Sequence, residues 1–277
     1  WAIHEPAFEA ILRVLGSRLA GGPAGPLGSG PDYGELPPGR IAYAPAARLP
    51  GGKRADVIST GGSVTGTATA VVPFHGICAK RISAMEADCG GVSLETLQRD
   101  LVTALANPRV ARVVLHLDSP GGMVTGIPEL AGRLREWSQE KPIYAFADNL
   151  CASAAYWLST GCSGFFATPT ADVGSIGVYM LAVDDSEAWA KEGYKAHLIR
   201  AGSRKAEGCR GIPIAPETLA LWQQEVDDLY AMFTGAVTAA RPAITSETMQ
   251  GQCFMGEAAL RVGLVDDIVT DLDDLLE

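Results

Sequence analysis

The chain predicts an α/β fold with a largely parallel sheet, and three observations lead there. From residue 67 onward, apolar runs of strand length alternate with segments of helical periodicity, the pattern of helices laid against a parallel sheet. The run 110–117 is rich in β-branched and large apolar residues, as suits a strand covered on both faces. Hydrophobic residues make up 47% of the 277 positions and charged residues only 19%, so burial should be extensive.

In chain order, Phe8, Ile11, Leu12, Leu15 and Leu19 fall at helical spacing and predict an amphipathic N-terminal helix within residues 1–20. The stretch 21–66 holds 12 of the 32 glycines and 7 of the 17 prolines. It cannot bury enough surface to offset its ordering entropy, so a flexible linker is expected. The compact domain should run over 67–277. Strands are expected over 70–77, 110–117, 142–147, 165–167, 175–179, 196–200 and 264–269. Helices are expected over 93–106, 126–136, 152–159, 186–192, 216–240 and 257–260. Leu94, Leu97, Leu101, Val102 and Leu105 should share one face of the second helix. Leu219, Trp222, Val226, Leu229, Phe233 and Val237 should line the longest one. The stretch 266–277, with six carboxylates, reads as a solvated tail.

Composition excludes several function classes. The net charge is −10 and the isoelectric point about 4.9, which leaves no basic footprint for nucleic acid. No apolar run reaches membrane-spanning length, and no secretory leader opens the chain. The first residue is Trp1, which reads as a trimmed start. Cys78, Cys89, Cys151, Cys162, Cys209 and Cys253 show no zinc spacing. They read as reduced thiols, and the expected location is cytoplasmic.

Two segments carry the chemistry. In Asp118-Ser119-Pro120-Gly121-Gly122 a strand must turn sharply, and glycine lets backbone N–H groups face outward. In Cys151-Ala152-Ser153-Ala154-Ala155 a serine opens a helix of small residues. Such a serine is often only an N-cap. Its other role is that of a nucleophile, with the Ala154 N–H and either Gly121 or Gly122 facing a developing oxyanion. Cys151 is a rival nucleophile by position, but a buried structural thiol is the simpler reading.

A serine nucleophile needs a base. His4 falls in the N-terminal element, and His75, His116 and His197 fall within predicted strands, so a Ser–His–Asp set is unsupported. Lysine can serve if burial strips its proton from an amine of ordinary pKa ~10.4. Lys205, in the turn Gly202-Ser203-Arg204-Lys205, is placed where a side chain could fold inward.

Together these segments resemble the S49 peptidases, which include signal peptide peptidase A and head-maturation proteases of tailed phages. The strand and turn from Arg112 to Gly122 match the family's oxyanion segment. Lys141-Pro142-Ile143 with Ala152-Ser153-Ala154-Ala155-Tyr156-Trp157 match the nucleophile segment. Gly174-Ser175-Ile176-Gly177-Val178, the Lys205 turn, and Phe254-Met255-Gly256-Glu257-Ala258-Ala259 with Gly263-Leu264-Val265-Asp266 match three further blocks in order. The resemblance covers about residues 68–270 and departs at Ala154-Ala155, where many cellular members carry two glycines.

The resemblance implies a crotonase- or Clp-protease-like α/β spiral and a serine endopeptidase. Ser153 is then the nucleophile, Lys205 the general base, and Ser175 the hydroxyl that orients the amine. It implies no metal or other cofactor, a peptide or protein substrate, and a homo-oligomer whose serine and lysine can come from adjacent subunits. The Ala-Ala form points to processing of phage scaffold or capsid proteins, in the host cytoplasm or procapsid. The alternatives are a bacterial signal-peptide peptidase and an inactive peptide-binding assembly module. A crotonase-type acyl-CoA enzyme ranks last, because Met123-Val124-Thr125 puts no carboxylate beside the turn.

Overall fold

A computed structural model of the protein describes residues 2–3, 41–45 and 68–276. The helix expected within 1–20 lies outside them apart from Ala2–Ile3. So does most of the expected linker, although its residues Ala42–Pro45 form a strand.

The apolar runs build one six-stranded sheet. Its centre is β3 (Ala68–His75), β6 (Val110–Asp118), β8 (Ile143–Ala147) and β10 (Gly164–Ala167). These strands are parallel, in the order β10-β8-β6-β3. Strand β13 (Asp267–Ile268) adds in parallel beyond β10, and β2 (Ala42–Pro45) pairs antiparallel with β3 at the opposite edge. Mixed α/β layering around a largely parallel sheet is therefore what the chain forms. Strand β6 is buried over most of its length, as its mainly β-branched and large apolar residues demand.

Short strands extend this frame at the carboxyl ends of the sheet. β4 (Ile77–Ala79) pairs in parallel with β5 (Gly91–Ser93) and with β7 (Gly121–Gly122). The free side of β7 is paired antiparallel with β1 (Ala2–Ile3). β11 (Asp172–Gly174) lies between β9 (Leu150–Ala152), parallel to it, and β12 (Cys253–Met255), antiparallel.

Helix α1 (Ala84–Asp88) starts with a capping box between Ser83 and Glu86. Helix α2 (Leu94–Ala106) starts on Ser93, whose hydroxyl accepts from the Thr96 amide. It buries Leu94, Leu97, Leu101 and Ala104. Val102, expected on that face, is 47% exposed, because it stands about 100° round the helix from Leu101. Helix α3 (Ile127–Glu140) continues one turn past its expected end and buries Ile127, Leu130, Ala131 and Leu134.

The chain forms two compact units, Trp1–Gly177 with Phe233–Glu277, and Val178–Met232. Inside the second, helix α5 (Ser186–Lys191) is anchored by two aspartates. Asp184 accepts from Ser186 and the Ile214 amide, and Asp185 accepts from the Gly211 amide and Arg210. The strand expected over 196–200 does not form. Its residues pair with no described strand, and Ile199 is 96% exposed. The strand expected over 175–179 ends instead at Gly174, where the backbone leaves the sheet.

The chain re-enters the first unit at Phe233, within α6 (Pro216–Ala240). Phe233 stacks on Trp157 with ring centroids 4.5 Å apart, and both are buried. Arg241 then pairs with both carboxylate oxygens of Asp266, at 3.0 and 2.9 Å. Asp266 also accepts from the Phe165 amide. The acidic stretch is therefore not a solvated tail. Beyond α7 (Gly256–Arg261), Leu272, Leu275 and Leu276 of α8 (Leu272–Leu276) close one sheet face against Val71, Val114 and Phe146. Leucine spacing decides its fate, and the carboxylates face outward. Leu275→Ala should destabilise the protein by about 2–4 kcal/mol, the usual range for emptying a leucine site; chemical denaturation followed by circular dichroism measures it.

Candidate active site

The site forms where β6 and β9 end side by side. Ser119 and Cys151 form an isolated parallel bridge. The Ser119 amide donates to the Leu150 carbonyl, and the Ala152 amide donates to the Ser119 carbonyl, at 2.7 and 3.0 Å. Two residues beyond this bridge on each chain stand Gly121 and Ser153, so topology alone brings the glycine turn and the serine together.

Ser119 also shapes the turn through its side chain. Its buried hydroxyl donates to the Gly76 carbonyl at 2.6 Å and accepts from the Gly121 amide at 3.1 Å. Gly122 is held by close approach, since a Cβ there would lie 2.0 Å from the Cys78 carbonyl oxygen. The role of Ser119 was not legible beforehand, because its partner Gly76 is 43 residues away.

Ser153 joins β9 to helix α4 (Ala154–Ser159) with φ 56° and ψ −119°. It makes no side-chain capping bond to that helix, so the N-cap reading does not describe it. A serine on a strained strand-to-helix turn is the geometry of a nucleophile elbow. It is 2% exposed. Its amide donates to the Gly174 carbonyl, and its carbonyl accepts from Trp157. The N–H groups of the first helical turn, Ala154 foremost, have no partner within the helix.

Ser175 takes the matching place on the neighbouring strand. Gly174 pairs with Ala152 across β11 and β9, so Ser153 and Ser175 are the next residues on adjacent parallel strands. Ser175 also has a positive φ of 52°, with its amide held by the Gln252 carbonyl. Among the described residues the non-glycine positions with positive φ are Ser153, Ser175 and Ala206. They fall in or beside the three segments named from sequence. Such conformations cost about 1–3 kcal/mol each and gather at functional sites.

Lys205 lies in the second unit. Its amide donates to Gly202, which has φ 92°, and its carbonyl accepts from Arg200. Its side chain is exposed in the single chain and not folded inward as expected.

The rival groups are disposed of by their surroundings. Burial holds the Cys151 thiol well above its ordinary range, and raises Cys78 and Cys162 to about 12 and Cys253 to about 11. Such thiols stay protonated and inert. All six cysteines are free. Among the described residues, no group of three or more His, Cys, Asp or Glu side chains is placed to hold a metal ion.

His75 and His116 belong to a polar cluster at the same strand ends. His116 lies 3.3 Å from His75 and 3.0 Å from Asp148, and Asn149 donates to Asp118 at 2.9 Å. Burial, and then the neighbouring His116, lower His75 to about 4. Burial alone would raise Asp148, but its bond to His116 holds it below its ordinary range. Asp118 is raised, chiefly by burial.

The model of peptidase family S49 matches residues 135–277, more than half of the chain. The head-tail preconnector protein GP5 of Enterobacteria phage P21 is 30% identical over 215 residues, covering 74% of this chain and 41% of that protein. The capsid assembly protease C of Escherichia phage lambda is 28% identical over 207 residues, covering 74% of this chain and 47% of that protein. Protease 4 of Salmonella typhi is 28% identical over 189 residues, covering 67% of this chain and 30% of that protein. The chain thus spans less than half the length of these three relatives.

The histidine cluster has a measurable consequence. Between pH ~6.5 and about 4 the unfolded chain carries a proton on His75 that the folded chain lacks. Stability should therefore fall as pH drops through this window and stop responding to His75 below it. Asp148, held low, adds its own loss only at more acid pH. In His75→Gln the slope of melting temperature against pH from 6.5 to 4 should be shallower than in the parent protein; equal slopes would refute the assignment.

Proposed function

Because the chain belongs to peptidase family S49, we propose that it is a serine endopeptidase working through Ser153 and Lys205. Ser153 attacks the carbonyl of an extended peptide, and Lys205 takes its proton and returns it to the leaving amine. Water then releases the acyl group. The observation that carries this reading is the conformation of Ser153, strained at the β9–α4 junction and uncommitted to capping the helix.

The oxyanion donors in this reading are the amides of Ala154 and Gly122. Gly121 was an equal candidate by sequence, but its N–H is directed to the Ser119 hydroxyl, which leaves Gly121 to shape the turn. Ser175, beside Ser153 in register, is assigned the task of orienting the lysine amine. Two such donors are worth several kcal/mol in the transition state, at roughly 3 kcal/mol for each one removed.

The reading also calls for a homo-oligomer. Lys205 is exposed, whereas a lysine base must be shielded from water. The unit that carries it leaves Leu181, Val183, Tyr194 and Ile199 more than 60% exposed. Apolar surface of this kind is suited to a subunit interface. A neighbouring copy seated there would cover the amine and let Ser153 and Lys205 meet between chains.

The relatives' names, head-tail preconnector and capsid assembly protease, support phage scaffold or capsid proteins as substrates. The host cytoplasm or procapsid is then the place of action. No helix among the described residues is long and apolar enough to cross a membrane.

Ser153→Ala should lower cleavage of a capsid scaffold by about a thousandfold or more, as loss of a nucleophile does elsewhere. Gel analysis of purified protein with that scaffold is the test, and equal cleavage by both proteins refutes it. Mixing Ser153→Ala with Lys205→Ala protein under subunit exchange should restore activity. No recovery after proven exchange places the pair within one chain.

A further inference from the structure

We propose that Ala2–Ile3, paired along the edge of Gly121–Gly122, acts as an intramolecular competitor of substrate for that edge. This inference rests on the peptidase reading above, and adds to it what keeps the substrate out.

The argument begins with β7. One of its sides is taken by β4, with Cys78 in register with Gly122. The opposite side is where an extended peptide can add, and Ala2–Ile3 lies there. The pairing is antiparallel, with Ala2 against Gly122 and Ile3 against Gly121. An unpaired strand edge offers a row of main-chain donors and acceptors, and adding a strand to it binds peptide with little regard to sequence. Two glycines put no Cβ on this edge, so another backbone can approach closely.

The position of the edge gives it a role in the reaction. Strand β7 follows Ser119, which is bridged to Cys151 two residues before Ser153. A peptide added along Gly121–Gly122 therefore runs beside the serine at the β9–α4 junction, over the amide proposed to hold the oxyanion. The occupant found there comes from the chain itself. Substrate and Ala2–Ile3 then claim the same backbone groups, and one must leave for the other to bind. The pairing described for the competitor spans two residues, and a longer peptide that makes further contacts displaces it.

The test uses the full chain with Ala2→Pro/Ile3→Pro, which removes both amide donors of the competing strand. Two readouts are taken. Hydrogen exchange by mass spectrometry follows the segment 120–124, and steady-state kinetics follow cleavage of fluorescein-labelled casein. In the double variant the segment should exchange faster. KM should fall about three- to tenfold with kcat unchanged, the effect of losing roughly one net backbone hydrogen bond from the competitor. The pentapeptide Trp-Ala-Ile-His-Glu, copied from residues 1–5, should slow exchange again and raise KM when added in trans. Unchanged exchange overturns the proposal, and so does faster exchange with an unchanged KM. If neither protein cleaves casein, the peptidase reading fails separately, and the exchange result alone decides whether Ala2–Ile3 covers this edge.

Discussion

The buried hydroxyl of Ser119 ties together the segments that make the candidate site. It donates to Gly76 beyond the end of β3 and accepts from Gly121 at the start of β7. The same residue's backbone exchanges hydrogen bonds with Leu150 and Ala152 of β9. Four strands therefore meet in a fixed relation around one residue. Each such bond contributes only about 0.5–1.5 kcal/mol net, but their joint effect is geometric. They bring Gly121–Gly122 and Ser153 into register before any substrate arrives, and preorganised donors are what oxyanion stabilisation requires.

That rigidity also allows strain to persist. Ser153 and Ser175 both hold positive φ, and each is retained by a backbone bond, Ser153 to Gly174 of β11 and Ser175 to Gln252 just before β12. The polar cluster beneath the turn adds a second set of ties. His116, Asp148 and His75 connect the ends of three parallel strands, and Asn149 reaches across to Asp118. The first unit thus carries a rigid half of the proposed machinery. The second unit carries the proposed base on a turn marked by positive φ at Gly202 and Ala206, among exposed apolar residues. The proposed nucleophile and the proposed base thus belong to different units.

What could be read from the chain depended on the range of the interaction involved. Val110–Asp118 was legible because burial on both faces leaves a local mark, and so was α2, apart from Val102, whose angular position a list of apolar residues obscures. The strand expected over 196–200 failed because a short run of strand length does not name its partner, and no described strand pairs with it. The acidic stretch was misjudged by its charge, when Leu272, Leu275 and Leu276 were the informative positions. At the site, the residue types of Ser153 and the glycine turn were visible. The strain at Ser153 was not, nor was the hold of Ser119 on Gly76, nor the two-residue pairing of β1 with β7. Each of these depends on segments far apart in sequence meeting in space.

The threading of the chain through its two units bears on how the protein comes into being on the ribosome. The second unit interrupts the first, so β12, β13 and α8 are made after it. Domains tend to fold as units as the chain emerges, yet here the sheet face of Val71, Val114 and Phe146 stays open until the leucines of α8 appear. Strand β11, which precedes Ser175, likewise waits for β12. A nascent chain released early, or still being translated, holds the serine but not the framework that positions it. Under the proposed function, synthesis order alone thereby delays hydrolytic competence until α8 has been made.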